Sequence, residues 1–386
     1  MVDRQKTDEM RSNIPLFKVS MSDDVIDELS GVLASGYIGQ GPKVEEFEDL
    51  MKGYIGNPYC NTTNAGTSAL HLALHMIKRE REECPQRSEV LTTPLTCTAS
   101  NFPIRGNGLD IRWVDVDPTT CNMDMQDLRR KVGPRTLAIM VVHWGGYPCD
   151  LDEIKKIQDE CEVLHGFRPP VIEDCAHAFG ATYKGKLLGN HGNICMFSFQ
   201  AIKHLTTGDG GLLVSPDYDL HSRAKLLRWY GLDREKSPDM RCEQNVSEWG
   251  YKMHMNDINA TIGIQNFKTV KDVLAKHQKN GKTYTNTLKG VAGVTLLEDA
   301  DDRESTYWIY TLRVSDRDGF IKKLKEFGIA ASRVHDRNDK HGSLKEYRAM
   351  LPGTDEICSD MICIPCGWWV NKEEIGFIVD TIRKGW

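Results

Sequence analysis

Short apolar runs bounded by turn residues recur along the first half of the chain: Glu89 to Thr93, Ile111 to Val116, Leu137 to Val142, Val171 to Glu173, Ile194 to Phe199 and Gly211 to Val214. Their apolarity is continuous rather than alternating, which predicts strands buried on both faces. Segments of helical spacing, such as Asp152 to Val163, lie between several of them. That alternation predicts an α/β domain with a largely parallel sheet. Sheets of this kind bind ligands beyond the carboxyl ends of their strands. Pro94 and Thr96, His143, Glu173 and Asp174, and Ser198 stand at those ends and are expected to converge on one crevice. Any one of them reads equally as a strand end meeting water, so only the group carries weight.

Upstream, Asn64-Ala-Gly-Thr-Ser68 precedes the apolar Ala69 to Ile77, which suits a buried helix with Thr67 or Ser68 capping its start. The backbone N–H groups of Gly66 and Thr67 then face outward as an anion site favoured by the helix dipole, although most small-residue helix starts bind nothing. After residue 262 the texture changes to Lys-rich helical segments, Lys268 to Leu288 and Asp316 to Phe327, interleaved with short strands such as Tyr307 to Val314. The expected division is a large domain, 1–262, and a smaller α+β domain, 263–386. Asp299 to Glu304 reads as a solvated acidic loop.

A length of 386 residues exceeds one core of ordinary size, which agrees with two domains sharing a cleft. Hydrophobic residues at 40% and charged residues at 27% place the chain in the globular class. The net charge of -6, with no long block of Lys and Arg, argues against a nucleic-acid partner. Met1 to Asn13 is polar and charged, and no stretch approaches roughly 18 apolar residues, so no membrane partner is expected and the chain is placed in the cytoplasm. Its 12 cysteines are then reduced thiols. Cys358, Cys363 and Cys366 have the spacing that opens a plant-type iron–sulfur pattern, but no cysteine follows them. They read instead as small buried hydrophobes around a strand-like Met361 to Pro365.

Three elements carry chemistry: Glu173-Asp174 at one strand end, Ser198 at the next, and Lys203 in Ser198-Phe-Gln-Ala-Ile-Lys-His-Leu-Thr-Thr-Gly-Asp-Gly-Gly211. Pyridoxal phosphate requires an amine for its Schiff base, a carboxylate to keep its ring nitrogen protonated, and hydrogen-bond donors for its phosphate. A lysine between a buried strand and a tight glycine turn is partly desolvated, as nucleophilicity near neutral pH demands. On spacing alone, Lys203 reads as well as a surface-loop lysine, Asp174 as a helix cap or strand-end ion pair, and His177 as a satisfied core histidine.

The runs Asn64 to Ala73, Val171 to Ala181, Met196 to Gly211 and Trp249 to Gly263 together resemble the DegT/DnrJ/EryC1/StrS family of sugar aminotransferases. The resemblance extends from Val19, through Ser35-Gly-Tyr-Ile-Gly-Gln-Gly-Pro-Lys-Val-Glu-Glu-Phe-Glu48, to the C-terminus. It implies a fold-type I, aspartate-aminotransferase-like architecture and a homodimer with shared active sites. Lys203 matches the Schiff-base lysine, Asp174 the partner of the pyridine nitrogen, and His177 a position near the cofactor's 3′ oxygen. Gly66, Thr67 and Ser198 match phosphate contacts, with Ser68 in the same turn. Two stretches depart from the pattern. Gly250-Tyr-Lys-Met-His-Met255 has Lys252 where the family often has an Asn reaching the neighbouring subunit's phosphate, and Pro94-Leu-Thr-Cys-Thr-Ala99 has Cys97 near the place of a ring-covering aromatic.

The resemblance implies a ping-pong reaction in which glutamate is the amino donor, pyridoxamine phosphate carries the amino group, and a nucleotide-linked keto sugar receives it. Lys203 is then both anchor and acid–base. A 4-keto-6-deoxyhexose is the favoured sugar, ahead of a 3-keto sugar or an inosose. A dehydratase branch replaces the lysine with histidine, whereas this chain has Lys203-His204. A non-catalytic regulator of the same fold has no use for an intact lysine, aspartate and cradle. Arg333-Val-His-Asp-Arg-Asn-Asp-Lys-His341 lies where the family has a substrate-facing loop, and its basic residues either meet a pyrophosphate or sugar acid or are solvated.

Overall fold

A computed structural model describes residues 13–79, 84–236 and 243–386. The six apolar runs, Glu89–Thr92 (β2), Asp110–Trp113 (β3), Thr136–Val142 (β4), Val171–Asp174 (β5), Ile194–Ser198 (β6) and Gly211–Val214 (β7), join Cys60–Thr63 (β1) in a seven-stranded sheet. Their order is β1-β7-β6-β5-β4-β2-β3. β7 pairs antiparallel with both neighbours while β6, β5, β4, β2 and β3 pair in parallel. Successive residues feed opposite faces, as a period of two requires. Ile139 and Val141 of β4 join a core with Phe47 and Phe197, while Ala138 and Met140 join a second core with Leu70 and Ile172. Both faces are therefore apolar, which is why these strands carry no alternation.

β1 escapes the apolar-run criterion because it reads Cys-Asn-Thr-Thr, yet all four residues are buried. Its side-chain donors find partners inside: Asn61 donates to the His221 carbonyl at 3.0 Å, and Thr62 donates from both N–H and hydroxyl to Glu48, each at 2.8 Å. Helix Asp152–Val163 is observed as Leu151–His165, with Asp150 capping it and Gly166 closing it in the left-handed region.

Val294–Leu296 (β8), Tyr310–Val314 (β9) and Met361–Ile364 (β10) form a separate antiparallel sheet. Helices Val270–Leu288, Arg317–Glu326 and Lys372–Arg383 enclose it around Tyr284, Leu312, Phe320 and Ile378. Helix Asp257–Phe267 spans residue 262 and packs against helices Val25–Ser35 and Pro42–Ile55. Ile14 pairs with Ile329, so the chain's early segment lies against the second sheet's core.

Cys358, Cys363 and Cys366 are buried with protonated thiols, burial pushing Cys363 up to about 12. Among the described residues the one grouping of metal-ligating side chains is His143, Glu173 and Cys175, which includes none of them. The Asp299–Glu304 segment is not merely a solvated loop. Arg303 pairs with Tyr183 in a short ribbon and its guanidinium, largely buried, bonds Asp302 at 2.6 Å and the Pro148 carbonyl at 3.2 Å.

A buried ion pair ties the sheet's edge to two helices. Arg228, 1% exposed, bonds Glu48 and the Thr62 carbonyl, the latter at 2.7 Å. Burial opposes the Glu48 charge, but the Arg228 guanidinium and the Thr62 donors outweigh it and hold the carboxyl below its usual range. Glu48→Gln leaves Arg228 as a buried cation without its counter-charge, at a cost of about 3 kcal/mol. Because the folded carboxyl is depressed, its stabilisation is present above the ordinary carboxylate range and is lost as pH falls through the folded value. Thermal unfolding across pH should show wild type losing stability on acidification, with the variant lower near neutrality and flatter toward acid.

Candidate active site

A cavity of about 510 Å³ opens beyond the carboxyl ends of β5 and β6. Three of the strand-end residues expected there do line it: Thr96, Asp174 and Ser198. His143 and Glu173 do not. Glu173 and Asp174 are neighbours on one strand and so point to opposite faces. On the far face His143 Nδ1 accepts the Cys149 N–H at 2.9 Å, which places the imidazole proton on Nε2, donated to Glu173 at 2.9 Å. The other Glu173 oxygen takes Asn193 Nδ2 at 2.7 Å, closing the network away from the cavity. Pro94 is also outside the lining, its carbonyl occupied by the Asn338 N–H at 2.8 Å.

Lys203 sits in the β6–β7 connection, its backbone held by an N–H bond to the Gln200 carbonyl at 2.9 Å. Part of its side chain faces the open cavity, but protein surrounds the amine. Burial pulls the amine down to about 8, with Asp174 and Cys97 opposing. Asp174 lies 2% exposed. One of its oxygens accepts the Ser100 hydroxyl at 2.6 Å and the other the Ala176 N–H at 3.0 Å. Burial pushes its carboxyl up nevertheless, because these donors and Lys203 only partly offset the desolvation. His177 stacks on Trp308 at 3.9 Å between ring centroids and 13° between planes, and its Nδ1 is buried with no partner. Burial, then the nearby Lys203, drives its pKa well below the usual value, so the ring is neutral.

The anion cradle is built from backbone. The helix after β1 is Gly66–Ile77 and its cap is Ala65, in extended conformation with no side-chain capping bond. Thr67 and Ser68 therefore lie inside the first turn rather than capping it, and the leading N–H groups are left for another acceptor. Gly66 and Thr67 line the cavity, whereas Ser68 turns back and donates to Asn64 at 2.6 Å. A Cβ on Gly66 would approach Met196 Sδ at 2.8 Å and Ser198 Cβ at 3.1 Å. On Gly211, which pairs with Ser198, it would sit 2.5 Å from the Gly66 nitrogen. The two glycines let three chain segments approach closely beside the cavity.

Lys252 stands outside the cavity of its own chain, exposed, with its ammonium 3.7 Å from the Trp229 ring centroid. Its loop is tied to the cradle through Asn64, whose N–H donates to the Met253 carbonyl at 2.8 Å. Cys97 lines the cavity. In the Arg333–His341 segment, Val334 and His335 reach the cavity while the basic side chains answer to carboxylates of their own chain. Arg337 is buried against Asp339 at 2.6 Å and pairs with Asp355, and Arg333 lies 3.5 Å from Asp336. Trp308, Phe17 and Ser100 also line the site. In the sequence Trp308 falls within the strand-like Tyr307 to Val314, and nothing in local spacing marks Ser100 or Phe17.

These parts suit pyridoxal phosphate on the structure's own terms. The cavity offers a desolvated amine, a buried carboxylate short of positive charge, a side-chain-free cradle for a phosphate, and the unpartnered Nδ1 of His177. Residues 19–383 match the model of the DegT/DnrJ/EryC1/StrS aminotransferase family. The chain belongs to that family. This aminotransferase is similar to AtS13 from Actinomadura melliaura, at 49% identity and TM-score 0.93 over 97% of this chain and 99% of that one. It is similar too to the sugar aminotransferase CalS13 from Micromonospora echinospora, at 46% identity and TM-score 0.93 over 97% and 100%. A Shewanella sediminis protein named UDP-4-amino-4-deoxy-L-arabinose--oxoglutarate aminotransferase is 30% identical, over 96% of this chain and 97% of its own. The chain is a pyridoxal-phosphate-dependent sugar aminotransferase of α/β fold with a mostly parallel central sheet. Among the described residues no helix is long and apolar enough to cross a membrane.

Proposed function

We propose that this aminotransferase moves an amino group from glutamate to a nucleotide-linked keto sugar, a 4-keto-6-deoxyhexose being the favoured acceptor, and works as a cytoplasmic homodimer. The observation that carries the reading is the character of the wall facing Lys203. Asp174, Lys203 and Asp209 are the charged side chains among the described lining residues. The rest of the cavity presents apolar and aromatic side chains, small hydroxyls, Cys97, Gln200 and neutral imidazoles, surroundings that suit an uncharged sugar ring. The name of the Shewanella relative supports amination at C4 and the glutamate–oxoglutarate couple. The proposed division at residue 262 puts Lys203 and Asp174 in one part and Trp308 and His335 in the other, with the site between them.

Pyridoxal phosphate supplies, when bound, an aldehyde that condenses with amines and a ring that accepts electrons. Lys203 anchors it and, with an amine pulled down to about 8, exchanges a proton near neutral pH at Nζ. Asp174 pairs with the ring nitrogen, and that charge offsets the burial of its carboxylate. His177, neutral, contributes Nδ1 near the ring's 3′ oxygen. The N–H groups of Gly66 and Thr67 and the Ser198 hydroxyl hold the phosphate, with Ser68 bracing the turn through Asn64. Lys252 completes the phosphate site of the other subunit, since its ammonium lies exposed outside its own cavity.

Hydride reduction should fix the cofactor covalently to wild type and leave Lys203→Ala unlabelled, read by peptide mass spectrometry. Label on another lysine removes the anchor assignment. Incubation with glutamate and a panel of nucleotide-linked 4-keto-6-deoxyhexoses, 4-ketopentoses and 3-keto sugars should give aminated product with 4-keto sugars. Conversion confined to 3-keto sugars or to free inososes overturns the acceptor. A hybrid dimer of one Lys203→Ala chain and one Lys252→Ala chain should retain about half the wild-type turnover, because one of its two sites draws an intact lysine from each chain. Turnover no better than that of the Lys252→Ala parent shows that Lys252 serves its own chain.

A further inference from the structure

Trp308 has no part in the roles assigned above, yet it is the aromatic ring on which the reactive amine rests. Lys203 Nζ lies 3.8 Å from its ring centroid. The indole is 3% exposed, and its Nε1–H donates to the Ile202 carbonyl at 2.9 Å. That acceptor belongs to the residue preceding Lys203, so the ring is pinned to the lysine's own stretch of backbone. His177 at 3.9 Å and Phe17 at 4.8 Å stack on it and prevent it from tilting.

The backbone that delivers the indole is strained. Tyr307 has a φ of 45°, a conformation costly for a bulky residue and kept only where the surroundings over-determine it. Here its carbonyl accepts from His277 at 2.9 Å, and its ring packs so closely on Gly281 that a Cβ there would come within 2.3 Å. Strain of this kind next to a cavity-lining residue points to a side chain whose placement matters.

We propose that Trp308 is a positioning residue: its face holds the Lys203 amine, in protonated form, whenever that amine is not bonded to the cofactor. The inference rests on Lys203 being the anchoring lysine. An ammonium over an aromatic face is attracted by the ring quadrupole, and the attraction grows when water is excluded. The ring thus works against the burial that pulls the amine's pKa down. It keeps Nζ over the cavity instead of letting it swing to Asp174. Besides Asp174, the titratable groups facing Nζ are Cys97 before helix Thr98–Gly106, His177 after β5, His204 next in the chain and His335 from the second part. Burial leaves all three imidazoles neutral, so Asp174, Cys97 and the indole face remain to favour the ammonium.

The test uses the full-length protein freed of cofactor. Acylation of Lys203 is followed against pH by peptide mass spectrometry in wild type, Trp308→Leu and Trp308→Phe. Leucine removes the face; phenylalanine keeps it and loses only the N–H bond. The midpoint should fall by about one pH unit in Trp308→Leu and stay within about 0.3 in Trp308→Phe. In the loaded enzyme the glutamate half-reaction of Trp308→Leu should lose about tenfold in rate constant with its KM near wild type, and phenylalanine should restore most of it. An unmoved midpoint in Trp308→Leu overturns the proposal, as does a Trp308→Phe variant shifted as far as leucine. If Trp308→Leu does not fold, Trp308→Met takes its place under the same criteria. Hydride labelling of wild type at a different lysine defeats the anchor reading alone, because the acylation midpoint is measured without cofactor.

Discussion

A lysine amine and an aspartate carboxylate are enclosed by protein at the wall of one cavity, and the architecture around them is arranged to make that tolerable. Taking either charge out of water is costly unless it is met by an opposite charge or by hydrogen bonds. Asp174 has two donors, the Ser100 hydroxyl and the Ala176 N–H, and they do not suffice, since its carboxyl remains raised. Burial pulls the Lys203 amine down in the same way, toward about 8. The charged form of each group is thus less favoured than it is in water. On the roles proposed for Lys203 and Asp174, a cofactor bearing a cationic ring nitrogen and an amine-reactive carbon would relieve both at once.

The parallel sheet sets where this happens. Asp174 ends β5 opposite Met196 of β6, and Ser198 ends β6 opposite Gly211, the first residue of the reversed strand β7. Gly211 also faces Thr63 at the end of β1, from which the chain turns into the Gly66 helix. Carboxylate, lysine loop and cradle are therefore placed by three adjoining strand ends. Beneath them, His143, Glu173 and Asn193 form a closed polar network on the opposite face of β5. It braces the strand that carries Asp174 without meeting the cavity.

Much of this was legible in the sequence, because the features that show are local. The buried strands announce themselves as apolar runs, and the lysine, the aspartate and the glycine turn lie close together along the chain. What was not legible depends on partners far away. β1 is polar and becomes a strand because Glu48 and Arg228 meet the polar groups of Thr62 inside. Thr67 and Ser68 look like helix caps, but Ala65 begins the helix and so leaves its donors free. The Arg333–His341 segment looks cationic, whereas Asp336, Asp339 and Asp355 absorb its charge and leave His335 to face the cavity. Trp308 gains its position from Ile202, some hundred residues earlier, and no period in the sequence encodes that pairing.

The separate origin of the two cavity walls bears on how such an enzyme can change. Cradle, carboxylate and lysine all come from the large sheet, where Gly66 and Gly211 admit no added atom and a shift of register would carry Asp174 to the wrong face. The opposing wall is drawn from the Ser332–His335 stretch, whose partly exposed side chains border the cavity without holding the sheet together. On the roles proposed for Lys203, Asp174 and the cradle, substitutions there can reshape the space offered to a sugar while those residues stay untouched. Inheritance of the chemistry and drift in acceptor preference are thereby uncoupled, and a lineage built on this plan can explore new sugars without first dismantling what makes it an aminotransferase.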